Sequence, residues 1–288
     1  VATFVGETNV IQGKVTALDG DIASIETGLG PMRGRAGPGP RSRRPLGNAM
    51  EDVQIALVPC LADNYAVLMH VPATGATVLV DAPSPQPIAR ALEENGWTLT
   101  CILITHHHGD HIDGLLPLKA ASGATVVGPA ADQHRIPGLD VVVADGDEVN
   151  ASGLSAKVIA TPGHTSGHVS YHFPDMGVVF TADALFALGC GRILEGTSEQ
   201  LYGSLQKLAA LPPETKVFCG HEYTLANARF AVTVDPMNKA LEGRVRKVMT
   251  QHMKGEATIP STIGEEIATN PFLRAGEPAI AERLGLAG

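Results

Sequence analysis

The sequence predicts a mixed α/β fold: two β-sheets packed together, covered by helices and followed by a helical tail. Three observations carry this. From residue 53 onward, short apolar runs of strand character recur in two consecutive blocks; helical patterns interrupt both blocks; and beyond His221 only helical patterns remain. Strands and helices mixed in this way belong to layered folds with a shared core.

The strand-like runs are 53–58, 66–71, 77–80, 101–105, 125–127, 141–144, 156–160, 168–173, 178–181 and 217–219. Helical patterns cover 85–95, 112–121 and 198–211. In the tail, Leu241, Val245, Val248 and His252 of the 238–254 segment fall on one helical face. Arg244, Arg246, Lys247 and Lys254 lie off that stripe and are read as solvated. Shorter helical patterns follow, broken near Pro260, Pro271 and Pro278.

The first 49 residues differ in kind. They hold 6 of the 21 Lys and Arg but only 4 of the 30 Asp and Glu, a net of +2, whereas residues 50–288 carry −11 and all 11 histidines. Alternating residues over 10–18 and 22–27 flank Asp19-Gly20, a hairpin signal. Residues 31–48 contain five Arg, four Gly, four Pro and no acid, and are read as a flexible linker. The chain opens on Val1, and Met50 opens the acidic part. A fused or upstream-extended reading frame is therefore expected, with the working protein starting near Met50. The expected divisions are 1–49, an extension outside the catalytic fold; 50–224, the catalytic domain; and 225–288, a helical substrate-binding domain.

Composition excludes several classes. The acidic body argues against nucleic acid, which is bound through clustered Lys and Arg. No apolar run approaches the roughly 18 residues of a membrane span, and no secretory signal is visible. Cys60, Cys101, Cys190 and Cys219 form no CxxC pair, so small buried thiols in a reducing cytoplasm are expected.

The chemistry is concentrated in Thr105-His106-His107-His108-Gly109-Asp110-His111, directly after an apolar strand. Residues two apart in an extended loop point the same way, so His106 and His108 can share a metal while His107 points elsewhere. Asp110 and His111 can turn toward a second metal. His164, Asp183 and His221 each follow a further apolar run, where strands deliver side chains to loops. Neutral imidazoles and carboxylates suit zinc, iron or manganese. His70, His134, His172 and His252 are read as ordinary surface or core residues, and His107 and His168 as orienting or packing residues. Asp81, closing Val78-Leu79-Val80-Asp81, is a candidate acceptor for the second N–H of a ligating histidine, or simply a strand-end Asp.

This pattern resembles the metallo-β-lactamase superfamily, whose hallmark is HxHxDH with later His, Asp and His. The resemblance implies an αββα sandwich. It implies one metal on His106, His108 and His164, a second on Asp110, His111 and His221, and Asp183 bridging the two. Further stretches are similar to the hydroxyacylglutathione hydrolases (glyoxalase II): Asp63-Asn64-Tyr65, Gly189-Cys190-Gly191-Arg192, Glu195-Gly196-Thr197, Cys219-Gly220-His221-Glu222-Tyr223-Thr224, Pro260-Ser261-Thr262 and Asn270-Pro271-Phe272-Leu273-Arg274. They span about residues 53 to 275.

That family implies hydrolysis of S-D-lactoylglutathione to glutathione and D-lactate, in methylglyoxal detoxification. Asp110, His111 and Asp183 would hold a metal-bound hydroxide, with zinc the expected metal. Arg192, Tyr223 and Arg274 match the positions that contact glutathione, whose carboxylates suit arginine's paired donors. Leu194 departs from the family, since animal members tend to have Tyr there. No further Lys follows Arg274, as it does in some members. Weaker glutathione affinity or a broader thioester range is the expected consequence. A single-iron persulfide dioxygenase on His106, His108, His164 and Asp183 is the rival enzyme. The rival without catalysis is a transporter-associated module, because Phe4–Asn9 and the hairpin resemble the start of a TOBE domain of ABC-transporter ATPase subunits.

Overall fold

The computed structural model describes residues 53–285 in full and, nearer the N-terminus, the backbone of four strands. The chain divides into two compact units, Val1–Asn48 and Ala49–Gly288. In the first, β1 (Ala2–Val5), β2 (Val10–Asp19), β3 (Ile22–Thr27) and β4 (Gly30–Arg35) form an antiparallel sheet in that order. The expected hairpin is β2–β3, with Asp19 paired to Ile22. The linker reading of 31–48 is corrected over its first residues: β4 pairs with β3 from Thr27↔Gly30 to Ile22↔Arg35. An edge strand tolerates Pro31, so Gly, Pro and Arg content alone did not exclude pairing. The rest of that segment lies outside the described residues.

The second unit is built on two six-stranded sheets. The first contains β5 (Gln54–Cys60), β6 (Asn64–Val71), β7 (Ala76–Val80), β8 (Thr98–Leu103), β9 (Thr125–Pro129) and β10 (Val141–Val143), in spatial order β10-β9-β8-β7-β6-β5. The second contains β11 (Glu148–Ala151), β12 (Leu154–Ala160), β13 (Val169–Phe173) and β14 (Val178–Ala182). A small hairpin, β15 (Leu185–Phe186) and β16 (Gly189–Cys190), precedes β17 (Lys216–Cys219) and β18 (Ser261–Thr262). The second sheet runs β11-β12-β13-β14-β17-β18.

Alternation along the strands makes both faces of the first sheet apolar. Val67 and Met69 of β6 enter the inter-sheet core with Val80, Leu103, Val158, Tyr171 and Phe180. Ala66 and Leu68 point the other way, toward Ile88 and Leu115. Those two come from α1 (Pro85–Asn95) and α3 (Leu115–Ser122), which cover the first sheet, with the one-turn α2 (Gly109–Ile112) before α3. α1 starts with Pro85 in its first turn and stops at Gly96, whose φ of +66° is the left-handed conformation glycine supplies. On the other side, Leu201, Leu205 and Leu208 of α4 (Ser198–Ala209) pack against Val179 and Val217. A reciprocal cap between Thr197 and Gln200 starts α4. The layers are therefore αββα, as the sequence predicts.

The tail comprises α5 (Thr224–Val234), α6 (Lys239–Met253), α7 (Ile263–Thr269) and α8 (Pro278–Arg283). Two details depart from expectation. Ser261 and Thr262 interrupt the helices as β18, pairing with Val217 and Lys216 at the edge of the second sheet. Arg244, read as solvated, is buried: it forms an ion pair with Glu266 and donates to Thr269 Oγ1 at 2.6 Å. Leu241, Arg244 and Val248 are the buried positions of α6, whereas His252 is exposed. An arginine can occupy such a face only because Glu266, fully buried, compensates its charge. Among the described residues, no helix is long and apolar enough to cross a membrane.

Candidate metal centre

The loops after β8, β12, β14 and β17 meet at one end of the sandwich and bring all seven candidate ligands together. His106 Nε2 lies 3.2 Å from His108 Nδ1, which lies 3.0 Å from His164 Nε2. Asp110, His111 and His221 form a second cluster, with Asp110 Oδ2 at 3.4 Å from His221 Nε2 and 3.8 Å from His111 Nε2. Asp183 stands between them. Its Oδ2 is 3.3 Å from His164 Nε2, and its Oδ1 is 3.4 and 3.3 Å from the Nε2 atoms of His111 and His221.

Backbone geometry aims Asp183. A register irregularity between Phe180 and Ala182 ends β14, and Ala182 has φ +39°, an uncommon conformation for a residue with a Cβ. Gly220 is required beside it: a Cβ there would fall 2.6 Å from Asp183 Oδ1 and 2.8 Å from His111 Cε1. This explains the glycine of Cys219-Gly220-His221.

The other ring nitrogens are held from outside. Asp81 Oδ2 accepts from His111 Nδ1 at 2.8 Å, and the same carboxylate accepts from Thr105 N and Oγ1. Asp63 Oδ1 accepts from His221 Nδ1 at 2.9 Å, and the Arg192 carbonyl accepts from His164 Nδ1 at 2.9 Å. Thr105 Oγ1 lies 3.0 Å from His106 Nδ1. Asn64 Nδ2 donates to Asp110 Oδ2 and to its carbonyl. Of these, only Asp81 is legible as an individual partner. Asp63 and Asn64 are visible only as part of a motif, and Thr105 as the residue before the histidines.

Burial, with the neighbouring His111 and His168, pushes His106 well below its ordinary value and favours the neutral imidazole a metal needs. Burial acts the same way on His111, but Asp183 and Asp81 outweigh it and raise it well above. Asp183 is held well below the usual carboxylate range: burial opposes this, while His111 and His221 favour the anion. The carboxylates that favour a proton on His111 equally favour a cation at its Nε2. That atom and Asp183 Oδ1 are buried without hydrogen-bond partners among the described residues. Converging imidazole nitrogens cannot all donate to one another, so this donor set fits divalent cations.

The remaining histidines do not join the clusters. His107 Nδ1 bonds Asp132 at 3.1 Å. His168 Nδ1 lies 2.8 Å from Thr161 Oγ1, and its ring packs on His106 at 4.9 Å. His70 stacks on Trp97. The four cysteines are free, and Ser166 Oγ donates to Glu195.

At the rim, Tyr223 stacks on His221 with ring centroids 4.7 Å apart. Burial and the acids Asp63, Asp183 and Asp110 raise its phenol, and nearby Arg192 opposes them. Arg192 therefore lies close enough to Tyr223 for its charge to act on the phenol. Arg274 is committed elsewhere through Nε, which donates to buried Asp235 at 2.9 Å. Asn270, three residues after Ile267 of α7, lies within 3.2 Å of the Phe186 and Gly189 carbonyls and of Glu266, tying the tail to the β15–β16 hairpin.

Residues 63–221 match the metallo-β-lactamase superfamily, and residues 222–288 match the hydroxyacylglutathione hydrolase C-terminus. A hydroxyacylglutathione hydrolase of Methylococcus capsulatus is 55% identical over 236 residues, covering 82% of this chain and 92% of its own. One from a Jannaschia species is 54% identical over 239 residues, with 83% and 93% covered. Among solved structures, ETHE1 from Myxococcus xanthus is similar at 31% identity and TM-score 0.54, covering 81% of this chain and 99% of its own. The B3 metallo-β-lactamase BLEG-1, at 21% identity and TM-score 0.60, covers 76% and 99% and shares the fold. With residues 63–288 matched by the two family models and 55% of 236 aligned residues identical to such a relative, the chain belongs to the hydroxyacylglutathione hydrolase family, metal-dependent hydrolases of the metallo-β-lactamase superfamily.

Proposed function

We propose that the protein hydrolyses S-D-lactoylglutathione to glutathione and D-lactate, using two divalent cations, with zinc the expected metal. The observation that carries the two-metal reading is Asp183, which places one carboxylate oxygen in each cluster. His106, His108 and His164 would hold one cation and Asp110, His111 and His221 the other, with Asp183 common to both. Cations held there would lower the pKa of a bound water from 15.7 to about 7 and would polarise a carbonyl oxygen.

The chain's residues supply the rest. Asp81, Asp63 and the Arg192 carbonyl hold protons on Nδ1 of His111, His221 and His164, keeping each Nε2 lone pair turned inward. Asn64 fixes the rotation of Asp110. Tyr223, stacked on His221, and Arg192, whose carbonyl accepts from His164, are the proposed glutathione contacts. Arg274, held at Nε by Asp235 and with Glu277 at 3.9 Å from Nη1, is the proposed contact for a substrate carboxylate. The departing thiol has an ordinary pKa near 8.5, so it leaves as thiolate without a dedicated acid.

The test is release of free thiol from lactoylglutathione, with metal counted on the same sample. Two metals per chain and oxygen-independent thiol release are expected, with the second metal and the thiol release lost in Asp110→Ala, His111→Ala. Metal-loaded protein no more active than that double variant would refute the proposal. One iron per chain with oxygen uptake would turn the reading to a dioxygenase.

A further inference from the structure

Outside both clusters, four charged or titratable side chains join four loops in one network. Arg135 follows the short turn Ala130–Asp132 and donates through Nη2 to Asp132. It donates to both oxygens of Glu195, at 2.6 and 3.1 Å, and to Ser166 Oγ at 3.1 Å. Glu195 also accepts from the Ser166 backbone N–H and hydroxyl, at 2.9 and 3.0 Å. His107 spans both carboxylates, with Nδ1 at 3.1 Å from Asp132 and Nε2 at 3.5 Å from Glu195.

Asp132 is fully buried. The loop bearing His164 passes directly over it: a Cβ on residue 167 would fall 2.3 Å from its Cγ, so only Gly167 fits. A buried carboxylate met by one arginine nitrogen and an imidazole, with the arginine's fork closed on Glu195, is a rigid joint.

The joined loops are those that carry the first cluster. His107 stands between His106 and His108, and Ser166 lies two residues beyond His164. Glu195 lies three residues beyond Arg192, whose carbonyl receives the His164 Nδ1 proton. Among the described residues, the second cluster is braced differently, by Asp81 on His111, Asp63 on His221 and Asn64 on Asp110.

We propose that the His107–Asp132–Arg135–Glu195 network is a clamp that sets the metal affinity of the His106–His108–His164 cluster alone, with Arg135 and Glu195 as positioning residues. The clamp rests on the two-metal reading above. Arg135 and Glu195 are 27% and 28% exposed, so their pairing is partly screened and acts through geometry more than through stability.

The test uses the full chain loaded with zinc and titrated with a chelator, comparing the unsubstituted protein with Arg135→Ala, Arg135→Lys and Glu195→Gln. One of the two zinc ions should be held about 10–100-fold more weakly and the other unchanged. Turnover should fall with KM for lactoylglutathione little altered. Lysine, lacking the planar fork, should restore little. If the alanine variant does not fold, Glu195→Gln keeps the shape and carries the same expectation. Two zinc ions held as tightly in the variants as in the unsubstituted protein, or both loosened alike, would overturn the clamp while leaving the two-metal reading intact. Fewer than two in the unsubstituted protein would overturn both.

Discussion

Asp81→Asn exchanges one oxygen for an NH2 with almost no change in volume, so its effect is confined to hydrogen bonding. Asp81 is 3% exposed. Its Oδ1 accepts from Thr105 N at 2.9 Å, and its Oδ2 accepts from His111 Nδ1 and Thr105 Oγ1, each at 2.8 Å. An amide has one accepting end. With its oxygen kept on the Thr105 N–H, the NH2 faces His111 Nδ1, which must lose its proton to accept. The proton then sits on Nε2, the atom aimed at Asp183, and no lone pair is left for a cation. With the amide flipped, the NH2 confronts the Thr105 N–H, leaving a buried donor unmet at a cost of about 1–3 kcal/mol. The first outcome should weaken metal binding or activity about 10–100-fold, or ~1.4–2.7 kcal/mol. The assay is metal stoichiometry after dialysis against a chelator, with thiol release on the same sample and a denaturant melt to separate the two outcomes. Asp81→Asn with unsubstituted metal affinity, turnover and stability would refute the tautomer argument.

Arg244→Ala strands the buried Glu266 carboxylate and should cost about 3–5 kcal/mol, read as a lower denaturant midpoint at unchanged slope. The Glu195 carboxyl is pulled down to about 2, first by the hydrogen bond from Arg135 and also by those from Ser166. Its folded value is depressed, so its contribution to stability is present above the unfolded value near 4.5 and lost as pH falls toward 2. Arg135→Ala should raise the Glu195 titration midpoint, followed by carboxyl-carbon NMR, and move acid unfolding to higher pH; an unmoved midpoint would contradict the ion pair. Leu194 is 60% exposed two residues after Arg192. Leu194→Tyr should lower KM for lactoylglutathione about 2–10-fold with kcat unchanged, since one added hydrogen bond remote from the reacting carbon strengthens substrate and transition state alike. A change in kcat at fixed KM would place residue 194 at the chemistry instead.

The seven candidate ligands were legible because chemistry and strand ends coincide in the chain. Four histidines and an aspartate follow one apolar run, and His164, Asp183 and His221 each follow another. The layers were legible because β6 and its neighbours alternate between two apolar faces. What holds the ligands was harder to see. Asp63 reaches His221 across 158 positions, and Arg135 reaches Glu195 across 60. A single acid or arginine in a loop carries no local sign of its partner. Arg244 misled for the same reason: helical periodicity sorts residues by hydropathy, and only Glu266, on another helix, makes that position buried. β4 misled because composition describes a segment by itself, whereas pairing depends on the strand beside it.

These distant partners divide the work around Asp183. Glu266 accepts from Arg244 and from the Leu188 N–H, and Asn270 reaches the carbonyls at 186 and 189. The tail is thereby fastened to the hairpin that begins two residues after Asp183. The clamp at Asp132 holds the His164 loop on one side of that carboxylate, and Asp81 and Asp63 orient the rings on the other. A carboxylate with one oxygen in each cluster works only if both clusters keep their spacing to it. Three separately anchored supports therefore explain why substitutions far apart in the chain should converge on metal binding, and why each should disturb a different part of it.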